Sequence, residues 1–143
     1  MTSIEEHLNK IKEHLDEIND AIEEGIEKKP ITIGFHCSAC AIQFLELYLH
    51  ALNKISIGKV IKHDWFKRPQ TEQKILPLIE RKLPVEFSKK AKIYNLIYEL
   101  EEERTILMYG KPVKGQVKKV LEIFQKIKEI FISLLKNENI TIE

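Results

Sequence analysis

The segment Glu99-Leu-Glu-Glu-Glu-Arg-Thr-Ile-Leu-Met-Tyr-Gly110 sets one arginine, Arg104, among four acids and ends on Tyr109-Gly110. The chain carries 20 Lys and only three Arg, so lysine is its default cation. An arginine at such a place points to a need for a planar, permanently charged fork, which grips a phosphate or carboxylate bidentately. Tyr109 can donate a hydrogen bond, but a phenol with an ordinary pKa near 10 is a poor base. Residues 100, 104, 107 and 108 share one helix face, and Glu101 lies beside it. Two uses of Arg104 stand open. It forms an ion pair with Glu101 or Glu103 within the helix, or it faces a polar groove.

A second candidate is Lys62-His63-Asp64-Trp65-Phe66-Lys67-Arg68. A histidine beside basic and aromatic residues in a loop can contact phosphate or stack a base, with Lys62, His63 and Lys67 as the contacts. The plainer reading has Trp65 and Phe66 plugging the loop onto the body of the protein while Lys62, Lys67 and Arg68 stay in water. The third candidate is His36-Cys37-Ser-Ala-Cys40. Cys37, Cys40 and His36 are weak zinc-ligand candidates that His50 or His63 would have to complete. There is no second cysteine pair, and buried small cysteines are common in cores, so a packing role for both is the first expectation and no bound metal or cofactor is expected.

These residues need elements to position them. Ile4, Leu8, Ile11, Leu15, Ile18, Ile22 and Ile26 step by three and four, which predicts a helix over about Ser3–Glu27 with Thr2 or Ser3 as its cap. Residues 31–53 are apolar on nearly every side, which predicts a central helix. Gly34, Ser38, Ala39 and Ala41 would let a neighbour approach it closely. A loop over 54–70 precedes a short helix at about 71–83, with Pro77 as a kink or late start. Ser88 is placed to cap a helix ending at Tyr109, where Gly110 suits a left-handed C-terminal cap. A last helix spans about 114–137. The expectation is a single all-α domain over residues 1–143, an up-and-down bundle of four long helices and one short one.

Composition narrows the function classes. A net charge of +1 supplies no global attraction to nucleic acid or anionic membrane, so a nucleic-acid site would be a local patch. No uninterrupted apolar run reaches the roughly 20 residues of a membrane span. The N-terminus lacks a basic-then-apolar leader pattern, and two cysteines make no disulfide scaffold, so a cytoplasmic protein is expected. The Lys-, Glu- and Ile-rich, Gly-poor composition suits a thermophile or an AT-rich genome.

Taken together, the long amphipathic first helix, the apolar segment Ala39–His50, the Lys62-His63-Asp64 loop before a short helix, and Leu100–Gly110 before one last helix resemble the HEPN domain family. The resemblance spans nearly the whole chain, and its most specific part is the Arg104 segment. Active members are metal-independent RNases that pair an arginine with a histidine after four to six intervening residues, across a homodimer. The resemblance puts that arginine at Arg104. The histidine would fall at 109, 110 or 111, which are Tyr109, Gly110 and Lys111 here. Other members pair with a small nucleotidyltransferase, often in toxin–antitoxin pairs. The resemblance therefore implies a non-catalytic homodimeric module that binds such a nucleotidyltransferase, a nucleotide or RNA, with Arg104 and Tyr109 in its groove. The first alternative is a divergent RNase in which Tyr109 or His63 assists Arg104. The second is an interaction bundle without a ligand.

Overall fold

A computed structural model describes residues 2–69 and 75–142, with side chains from Ile4 onward. The protein is 69% helical, with five helices and no strand among the described residues. In chain order they are α1 (Thr2–Glu24), α2 (Pro30–Ala51), α3 (Leu78–Lys82), α4 (Lys90–Tyr109) and α5 (Gln116–Asn137). A 3-10 turn, His63–Trp65, interrupts the loop between α2 and α3.

α2 is the axis of the bundle and packs against α1, α4 and α5. Its direction relative to α1 follows from three cross-helix pairs: His7 with Gln43, Cys40 with the Ile11 carbonyl, and His14 with His36. The numbers rise on one helix as they fall on the other, so the pair is antiparallel. α4 runs antiparallel to α2 by the same test, because Ser38 meets Glu101 while Gly34 faces Leu107 and Met108. A Cβ added at Gly34 would stand 3.4 Å from Leu107 Cδ1, so glycine gives α4 its close approach. α5 returns along α4, tied by Glu103 to Gln116 and Lys119.

The core is continuous. Phe44 stacks on Phe131 at 5.7 Å between ring centroids, and Phe66, from the loop, stands edge-on to Tyr94 and Tyr98. Phe66 is the plug that pins the loop, buried to 1% exposure; Trp65 is only half-buried, and Lys62, Lys67 and Arg68 remain in water. By length and composition α2 is apolar enough to cross a membrane, which a search for one uninterrupted apolar run overlooks. Two-thirds (67%) of that window is buried inside the bundle, the pattern of a core helix.

Several expected boundaries move. α1 stops at Glu24 because Gly25 turns the chain with φ +119°. Pro30 opens α2 rather than merely ending what precedes it, since a proline lacks only a hydrogen bond that the first turn never makes. The helix expected over 71–83 shrinks to Leu78–Lys82, with Pro77 at its cap; residues 71–74 lie outside the described residues. Ser88 does not cap α4. The cap residue is Lys89, left-handed at φ 63°, with no side-chain hydrogen bond. Gly110 ends α4, but at φ −100° rather than in the left-handed region. Its N–H donates to the Ile106 carbonyl, and an added Cβ would lie 3.1 Å from that oxygen. The caps expected at Thr2 and Ser3 fall outside the described side chains. Ile22, in the expected stripe of the first helix, and Phe35, in the segment expected to be central, are exposed.

Candidate functional site

Glu101 is the organising residue of a cleft that gathers most of the expected site residues. It sits on the α2-facing side of α4 and is 8% exposed. A carboxylate that deep needs partners, because an unpaired buried charge is strongly destabilising. Two side chains supply them. Ser38 Oγ, on α2, donates to Glu101 Oε2. His63 Nδ1, from the 3-10 turn, lies 2.8 Å from Glu101 Oε1. With the carboxylate as acceptor, the Nδ1 proton points at Glu101 and the Nε2 edge of the ring is left for a ligand. The His63 side chain is half-buried, so that edge is open to the cleft.

Arg104 stands one turn along α4. Its Nε is buried with no hydrogen-bond partner, and it forms no ion pair among the described residues. The within-helix pair with Glu101 or Glu103 is therefore absent. Glu101 is committed to Ser38 and His63, and Glu103 faces away to Gln116 and to Lys119 Nζ at 3.4 Å. Because Arg104 also lines the cleft, the accessible part of its guanidinium can take an acceptor from outside the protein.

The cleft holds about 590 Å³ and is lined by His63, Asp64, Phe66, Lys67, Arg68, Glu101, Glu102, Arg104, Thr105 and Tyr109. That volume suits a small molecule or a piece of a larger one. Arg68 is already engaged, stacked over the Tyr98 ring at 5.4 Å and 3.7 Å from the exposed Glu102. Of the lysines and arginines lining the cleft, Lys67 and Arg104 form no ion pair among the described residues. Tyr109 is exposed at 77% and forms part of the wall. Four of the five expected site residues thus meet in one place. Lys62 does not: it is exposed and outside the lining, and its carbonyl accepts from Trp65 N within the turn.

The weak metal candidates come apart. No group of three or more His, Cys, Asp or Glu able to hold a metal occurs among the described residues. Cys37 and Cys40 are both free and fully buried. Burial pushes the Cys37 thiol far above its ordinary range; it pushes Cys40 up to about 12, with the Lys128 ammonium pulling weakly the other way. Thiols this reluctant to ionise are poor ligands and poor nucleophiles. His36 turns away to His14, Nδ1 to Nδ1 at 2.8 Å, and His50 stacks on His7.

Sequence reasoning missed the roles of Ser38 and Glu101 and the buried Glu46. A signal existed for two of them: Ser38 and Glu46 are polar residues inside a stretch that is otherwise apolar on every face. Glu101 gave none, because it sits in a run of three glutamates of which only one turns inward. Comparisons with protein-family models, curated proteins and solved structures find nothing that matches this chain.

Proposed function

We propose that this chain is a HEPN-like helical module that binds a phosphate-bearing ligand, a nucleotide or RNA, in the cleft between the His63 turn and α4. The observation that carries the reading is Arg104: a guanidinium that lines the cleft without an ion pair among the described residues, in a wall that also presents His63 and Lys67. Phosphate oxygens meet that need, because an arginine fork binds them with short charge-assisted hydrogen bonds. Glu101, Asp64 and Glu102 bound the same cleft, so a ligand with one localised anionic group fits better than a polyanion spread over the surface. The homodimer and the nucleotidyltransferase partner belong to this reading. Ile106 and Tyr109, exposed beside the cleft, offer an edge that a partner would cover.

The test is binding of 5′-AMP and of a short labelled single-stranded RNA, by calorimetry and fluorescence anisotropy. One of them binds saturably, and Arg104→Ala weakens it about 10- to 100-fold, the value of hydrogen bonds to a charged group. Equal affinity of wild type and Arg104→Ala, or no binding of either probe, removes the reading.

One observation favours a catalytic version. His63 is a histidine oriented by a buried carboxylate, with its second nitrogen facing the same cleft as Arg104. Such a ring can take and return a proton. In that version His63 takes over the place in the site that Tyr109 leaves unfilled. RNA cleavage in the presence of a chelator, abolished by His63→Ala while Arg104-dependent binding persists, would establish it. The within-helix ion pair that the ligand-free alternative assigns to Arg104 is absent among the described residues.

A further inference from the structure

The loop that delivers His63 is held by a second buried carboxylate, remote from the cleft. Glu46 lies on α2 at 4% exposure, and its Oε2 accepts a hydrogen bond from the Ile61 backbone N–H at 2.6 Å. Ile61 itself is buried at 2%, two residues before His63. On the far side Phe66 is anchored in the aromatic cluster. His63 is therefore the middle of a short bridge with one foot on α2 and the other against α4. From the bundle below, Glu101 holds its ring. We infer that Glu46 is a positioning residue for the cleft, acting through the Ile61 N–H to place the His63 ring on Glu101 and facing the ligand.

The physical argument begins with cost. Nothing in the packing of α2 requires an acid at 46, and burial raises its pKa, which records how poorly the site tolerates the charge. The surroundings offset that cost only in part. His7 Nδ1 is 3.7 Å away but is turned to Gln43 Oε1 at 2.7 Å, and Lys10 acts from α1 at longer range. The one short bond to the carboxylate is the loop's own amide. A buried N–H without an acceptor is itself strongly disfavoured, so the bond fixes where Ile61 can sit. A shape-matched apolar residue would remove the cost of burying the acid but would strand the Ile61 N–H. What it would lose is the loop's attachment. This rests on the reading of the cleft as a phosphate site only for its effect on ligand affinity; the effect on the loop stands by itself.

Two variants separate positioning from bulk stability. Glu46→Leu keeps the volume and removes the acceptor, whereas Glu46→Gln keeps an oxygen for the Ile61 amide. Three quantities are read on the full chain: melting temperature, the exchange rate of the Ile61 amide together with the imidazole resonances of His63, and affinity for 5′-AMP and the labelled RNA. The expected pattern for Glu46→Leu is a melting temperature within about 10 °C of wild type, Ile61 exchange accelerated at least tenfold, and His63 resonances moved toward those of a free histidine. Affinity for the bound probe falls about five- to tenfold, as it does when the binding-competent arrangement is only fractionally populated. Glu46→Gln resembles wild type in all three.

The inference is overturned if Glu46→Leu leaves Ile61 exchange and His63 resonances unchanged, or if Glu46→Gln behaves like Glu46→Leu. It is also overturned if Glu46→Leu lowers the melting temperature by more than about 10 °C, which would make Glu46 a structural residue. If wild type binds neither probe, the cleft reading fails, and Ile61 exchange and the His63 resonances still decide the role of Glu46.

Discussion

Two regions of this protein carry residues with chemical potential, and they could hardly differ more in what the fold makes of them. The His36–Cys40 segment has the more reactive residue types. The cleft at His63, Glu101 and Arg104 is built from ordinary ones. Yet both thiols lie sealed in the core with raised pKa values, while the cleft keeps an open imidazole edge and an unused guanidinium nitrogen. The difference lies in unsatisfied capacity. Cys37 and Cys40 have the apolar surroundings that a thiol accepts. Arg104 has no ion-pair partner among the described residues, and Glu101 holds a histidine beside it rather than neutralising it.

The sharpest way to break the contrast is thiol reactivity. In native protein, Cys37 and Cys40 should react with an aromatic disulfide reagent at least ~100-fold more slowly than after unfolding, because burial suppresses both access and thiolate. Rapid reaction of either would make the α2 segment a site after all.

Next in size is Glu101→Ala. It strands the buried Ser38 hydroxyl and leaves a void, which should cost about 2–3 kcal/mol in chemical denaturation. It should also free the His63 ring. A change within 0.5 kcal/mol would mean that Glu101 is not the centre of the cleft.

A smaller effect comes from His14, whose pKa is lowered first by burial and then by His36, with Lys10 adding to it and Glu13 opposing. A depressed histidine pKa means the unfolded chain takes up the proton first. Stability is therefore fully present above the ordinary value of 6.5 and is lost as pH falls through it. The slope is at most about 1.4 kcal/mol per pH unit for one proton. His14→Gln should flatten the curve below pH 6.5, compared by thermal melts at successive pH values. His50, depressed by burial and by His7, contributes with the same sign.

The smallest expected effect is the most diagnostic. Arg104→Ala should leave ligand-free stability within about 0.5 kcal/mol of wild type, since it breaks no ion pair and removes an orphaned donor. A large loss would mean that Arg104 is structural, and the contrast between the two regions would collapse.

Much of this architecture is legible in the chain. Repeats of three and four in α1 and α5, and an all-round apolar α2, suffice for the helix count because burial of an apolar face drives helix packing. Helix ends were less readable. Lys89 starts α4 without a capping side chain, and Pro30 opens α2. Both outcomes depend on where the chain must enter the bundle, which local preference does not encode. At the site, Arg104, Tyr109, His63 and Lys67 could be singled out by type and spacing, but their convergence could not. His63 and Glu101 are 38 residues apart.

The sequence by itself determined that this chain is a helical bundle, and that Arg104 is its unusual cation. Periodicity and composition are local properties, and they survive without knowledge of the fold. Only the tertiary structure decided which of three consecutive glutamates turns inward, that it takes His63 rather than Arg104, and that the cysteines are core. Those outcomes depend on which side chains share a buried, poorly solvated space. There an acid accepts whichever donor the packing brings within 3 Å, and the guanidinium that it passes over is left free for a ligand.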